Sequence, residues 1–75
     1  MIPQAPTHWP GLDGNSVGCR EKLRVLGENY AELGQVMQDA FEDAVLMGVD
    51  EQAMRDILSE MVRGLQSPKR GAGAR

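Results

Sequence analysis

The sequence predicts an all-α fold: a helical hairpin of one long and one shorter helix, with a flexible N-terminal arm and C-terminal tail. Three observations predict it. Apolar residues recur at alternating steps of three and four from Leu23 to Met47, which is the spacing of a helical seam. A second stripe, from Met54 to Leu65, follows a break at Gly48. Aromatic residues make up only 4% of the chain and β-branched residues are scarce, so strands lack the residues that favour them.

The segment 1–15 is read as an arm because it holds three of the four prolines and two of the nine glycines, among them "HWPGLDGN". Such a stretch cannot form a regular helix. Ile2, Trp9 and Leu12 give it apolar side chains able to fold back on a core, and Trp9 is the only tryptophan.

The hairpin domain is placed at 16–66. Asn15 or Ser16 is the expected N-cap of the first helix, and Gly48 the residue that ends it in the left-handed conformation. Its seam runs through Leu23, Leu26, Tyr30, Leu33, Met37, Ala40, Ala44 and Met47. Val36, Phe41 and Val45 widen the stripe toward a bundle face. Gly27 and Gly34 lie one heptad apart beside it, each costing about 1 kcal/mol against alanine. They mark either a break near Gly34 or an edge that a neighbouring helix approaches closely; one continuous helix is the expectation.

The second helix has a clear start. Asp50 is a good N-cap with a charge suited to the helix dipole, and Val49 and Met54 are placed for a hydrophobic staple. Ser67-Pro68 ends it. The remaining tail, 67–75, is basic and glycine-rich, a composition that does not pack.

Helices of about 45 Å and 23 Å, at about 1.5 Å per residue, do not match in length. The shorter one covers only the C-terminal half of the longer. Leu23, Leu26, Tyr30, Leu33 and Met37 are therefore the candidate seam for self-association or for a partner, and dimerisation into a helical bundle is the simplest way to cover it. A chain of this size usually needs a disulfide, a metal or a partner chain. Cys19 is the only cysteine and His8 the only histidine, too few for a disulfide or a zinc site.

Charge is unevenly placed. From Glu28 to Glu60 there are nine carboxylates and one base, Arg55, within a net charge of −3. Basic residues gather at the edges, at Arg20, Lys22 and Arg24 and again at Arg63, Lys69, Arg70 and Arg75. Glu28, Glu32, Asp39, Glu42 and Asp43 fall on the outer side of the first helix, a candidate acidic docking face for a basic protein. The centre of the chain repels nucleic acid and membrane surfaces. No window approaches the roughly 20 apolar residues of a membrane span. The first residues lack the basic start and apolar run of a secretory peptide, so a cytoplasmic setting is expected.

Residues 43–58, "DAVLMGVDEQAMRDIL", resemble a DNA-binding helix-turn-helix at Ala44, Gly48, Val49, Met54 and Ile57. The resemblance covers a short stretch and implies a small DNA-binding regulator reading bases with Gln52 and Arg55. The surface it would present also carries Asp50, Glu51 and Asp56, which oppose phosphates. "LMGV" is similar to the Met-Gly-Phe loop of ubiquitin-associated domains, but Val49 replaces the aromatic and no third helix follows.

Other chemistry finds little footing. "DGNSVG" begins like a calcium loop, yet Val17 and Arg24 stand where oxygen ligands are needed. There is no phosphate-binding glycine loop. Cys19 is either a seam residue, the favoured reading, or a thiol activated beside Arg20 and Lys22. Catalysis needs at least two positioned groups and a cavity. The sequence therefore points to a non-catalytic protein-interaction or assembly module without cofactor or metal, a homodimer in the simplest case, with the DNA-binding regulator as the alternative.

Overall fold

The computed structural model describes residues 2–69 and contains two helices, α1 (Arg20–Leu46) and α2 (Glu51–Arg63). Among the described residues there is no strand, only an isolated antiparallel bridge between Pro10 and Ser16. The chain divides into two compact units, Met1–Ala40 and Phe41–Arg75.

In the first unit, α1 starts at Arg20, not at Ser16. The reason is local. Ser16 is bridged to Pro10, and the Val17 amide donates to the Trp9 carbonyl at 2.8 Å, so residues 9–17 form a turned-back loop. Inside it the Asp13 carboxylate accepts from the Asn15 amide at 3.0 Å, Gly14 takes φ 89°, and the Gly11 amide donates to Asn15 at 2.6 Å. Cys19 becomes the last residue before the helix, its carbonyl accepting the Leu23 amide at 2.9 Å. Residues 16–19 thus belong to the loop that precedes α1. From Arg20 the helix runs without interruption through both Gly27 and Gly34. Arg24 holds its first turns by bonding Glu28 at 3.0 and 3.1 Å and by pairing with Glu21.

In the second unit, α1 ends in the expected way. Gly48 has φ 101°, a conformation nearly free to glycine and costly to other residues. The turn lets the Gly48 amide donate to Val45 at 3.0 Å and the Val49 amide to Ala44 at 2.9 Å, satisfying carbonyls that a helix end leaves open. Asp50 then caps α2, its carboxylate accepting from the Ala53 amide at 2.9 Å. α2 stops at Arg63, and Gly64 donates back to Glu60 and Met61, both at 3.1 Å, so 64–66 lie beyond the helix. Of the predicted tail, 70–75 lie outside the described residues; Ser67 bonds the Lys69 amide at 3.1 Å.

Among the described residues no hydrophobic side chain is buried, and Gly34 is the single buried residue. The apolar faces are half-covered rather than enclosed. No described helix is long and apolar enough to cross a membrane.

Candidate interaction surfaces

The seam residues of the first unit do not share one environment. Leu23, Leu26, Tyr30 and Met37 are half-buried, whereas Leu33 is 60% exposed and Val36 64%. At Tyr30 and Gly34 the cover comes from the chain's own arm. The Tyr30 hydroxyl donates to the Pro3 carbonyl at 2.7 Å. Trp9 meets the Tyr30 ring edge-on, with centroids 6.5 Å apart and planes at 80°, a favoured aromatic geometry. Ile2 lies over Gly34, where a Cβ would come within 3.1 Å of the Ile2 Cγ2.

Gly34 therefore serves as a seat for the arm, not for a neighbouring helix as the small-residue edge suggested. Gly27 has open space in the position a Cβ would take. Beside the arm, Tyr30, Ala31 and Gln35 join Ile2 and Pro3 around a shallow groove of about 610 Å³. The arm, which the sequence left free to dock or to hang loose, is packed on α1.

The edge of the arm carries two polar features that sequence spacing did not connect. The Ser16 hydroxyl lies 2.8 Å from the His8 ring, giving the histidine a partner eight residues away. Cys19 is exposed and precedes α1, so its assignment to the helical seam is corrected. Its thiol is pushed below its ordinary value, first by the Lys22 and Glu21 backbone amides and less by the Lys22 charge, as expected at a helix N-terminus.

The five carboxylates of the acidic side are all exposed. Within the first unit Glu28 is engaged by Arg24, and Asp39 accepts from the Gln35 amide at 2.9 Å. Glu42 and Asp43 belong to the second unit.

In the second unit, Phe41, Ala44 and Val45 of α1 and Met54 and Leu58 of α2 are half-buried. The Arg55 guanidinium stacks over the Phe41 ring at 4.8 Å, and Gln52 donates to Asp56 at 3.0 Å. The two side chains proposed to read bases thus have partners inside the hairpin. The rest of the apolar stripe of α2 is open: Ile57, Met61, Val62 and Leu65 are exposed, Met61 at 65% and Leu65 at 78%.

No family model matches the chain, and no curated protein or solved structure matches it.

Proposed function

We propose that this chain is a small non-catalytic interaction or assembly module that works through its apolar helical surface. The observation that carries the reading is the lack of any buried hydrophobic side chain among the described residues, together with the large apolar side chains left exposed on both helices. A domain this small is marginal even with a well-filled core. Covering these faces with protein supplies the missing burial, at about 25 cal/mol per Å² of apolar surface removed from water.

Within this reading the partner is first a second copy, giving a homodimer or larger helical bundle. The carboxylates Glu28, Glu32, Asp39, Glu42 and Asp43 are exposed, and they are the groups a basic protein would meet. The single exposed thiol suits a reducing, cytoplasmic setting. A DNA-binding role for 43–58 receives less support, because Arg55 is held on Phe41 and Gln52 on Asp56 amid acidic neighbours.

The test is sedimentation equilibrium of the full chain, combined with helix melting by far-ultraviolet circular dichroism over a wide concentration range. Association, with a melting temperature that rises with protein concentration, is expected. A monomer whose melting is independent of concentration up to about 1 mM, the weak end of specific affinity, would sink the assembly reading.

A further inference from the structure

The loop between the arm and α1 holds a reactive pair of residues that the assembly reading does not use. We propose that Asp13–Gly14 is a site of spontaneous backbone isomerisation, and that its conversion to isoaspartate loosens the arm from α1.

The sequence singles out the position. Asp13 is followed by glycine, whereas Asp39 and Asp43 precede alanine, Asp50 precedes glutamate and Asp56 isoleucine. Asp39, Asp43 and Asp56 also lie inside α1 and α2, where the amide of the next residue is fixed in the helical ladder. Asp13 and Gly14 are exposed, and three features of their loop suit ring closure. The Asp13 carboxylate accepts from the Asn15 amide at 3.0 Å, which folds it forward over the Gly14 peptide unit, as in an Asx-turn. Gly14 has no side chain, and nothing lies within 4 Å of where a Cβ would stand. The Gly14 amide is held by a turn bond to the Gly11 carbonyl at 3.1 Å, which water can replace.

The chemistry needs only water. The Gly14 nitrogen attacks Cγ of the protonated Asp13 carboxyl group. A C–N bond forms, the C–OH bond breaks, and the hydroxyl leaves with the amide proton as one water molecule. Water then opens the resulting succinimide. Attack at the former main-chain carbonyl breaks its bond to the Gly14 nitrogen, leaves that carbonyl as a free carboxylate, and routes the chain through the Asp13 side chain. The product has gained a main-chain methylene and moved its carboxylate away from the Asn15 amide. The bonds that close the loop, from the Gly11 amide to Asn15 at 2.6 Å and from the Val17 amide to Trp9 at 2.8 Å, then lose register. Trp9 rests edge-on against Tyr30, so the change reaches the arm's seat on α1.

The experiment ages the full chain at neutral pH over weeks, beside the variants Asp13→Ser and Asp13→Glu. Serine keeps an acceptor for the Asn15 amide but has no carboxyl group, and glutamate would have to close a larger ring. Electron-transfer fragmentation locates the inserted methylene at 13 and separates it from deamidation at Asn15, which changes the mass. Isoaspartate is expected to accumulate at 13 in the parent, with no such product at 13 in either variant. In the separated isoaspartate form, amide exchange in 2–9 should be several-fold faster than in the fresh chain and unchanged in α2. An aged parent that keeps its ordinary aspartyl linkage at 13 overturns the site. Isoaspartate at 13 with exchange of the arm unchanged overturns the loosening.

Discussion

The two compact units solve one problem with different means. Each has to cover part of an α1 face. The second unit does it with a neighbour in sequence: a glycine turn, a capping aspartate and a helix that folds back immediately. The first does it with a distant segment, the arm, held by a hydroxyl on a carbonyl, a pair of rings and one isoleucine over a glycine. Local chemistry specifies the second unit. The first depends on contacts whose partners lie about thirty residues apart. The consequence is an asymmetry of strength, because a local cap satisfies backbone groups at little entropic cost, while a docked arm must first be brought back.

Substitutions can break that asymmetry, starting with the turn of the second unit. Gly48→Ala forces alanine to φ 101° and should cost about 1–2 kcal/mol of helix stability, read as a fall in melting temperature. Asp50→Ala removes the bond to the Ala53 amide and should cost about 1 kcal/mol. If neither moves the melting curve, the second unit is not held by its turn.

The glycines of the first unit test the arm more finely. Gly27→Ala meets nothing, so it should stabilise α1 by about 1 kcal/mol through helix propensity alone. Gly34→Ala has the same propensity gain but crowds the Ile2 methyl. Ile2 is a half-covered side chain near the start of the arm and can yield by a few tenths of an ångström. Gly34→Ala should therefore stabilise the helix by less than Gly27→Ala and also loosen the arm, seen as faster amide exchange in 2–9. Equal gains with an unchanged arm would mean that Ile2 does not sit on Gly34.

Tyr30→Phe is a smaller change. It removes the hydroxyl from the Pro3 carbonyl while keeping the ring against Trp9. A loss near 0.5 kcal/mol is expected for an exposed hydrogen bond, confined to the arm and absent from α2.

The smallest effect concerns Cys19, where no change of fold is involved. Amides donating to the sulfur favour the thiolate, so alkylation of the folded chain should reach half its maximal rate at a lower pH than alkylation in urea. The linkage has the matching sign. A thiol depressed in the folded state adds stability above its unfolded pKa and loses it as pH falls through the folded value. A midpoint that urea leaves unmoved would contradict the amide contacts.

How much of this was legible in the sequence follows from the same contrast. Gly48 and Asp50 were readable because caps act over a few residues and use few residue types. The long helix was readable from its period, including the passage through Gly27 and Gly34. Its start was not: Ser16 is a good cap by type, but it is taken up by the bridge to Pro10 and the contact with His8. Leu33 belongs to the seam by spacing yet lies open, since spacing names a face without naming what covers it. The arm's docking had only indirect signals, the apolar Ile2, Trp9 and Leu12 in a proline-rich stretch and a seam left uncovered by the shorter helix. Of the candidate surfaces, the outward position of the carboxylates and the apolar run of α2 could be read from period. Which of its members stay uncovered could not, because period names a face without naming the neighbours that meet it.

The bond from Tyr30 to Pro3 also sets an order in time. The α1–α2 turn closes over a handful of residues and forms on the timescale of helix and short-loop formation, about a microsecond or less. The arm cannot dock until enough of α1 exists to place Tyr30 and Gly34 on one side, so it arrives last and departs first. A folding experiment should then see helix appear before the arm is protected. A protease should cut between 2 and 17 long before it reaches the turn at Gly48. The arm is thus a late clasp on a helix already made, one that can open while α1 stays whole.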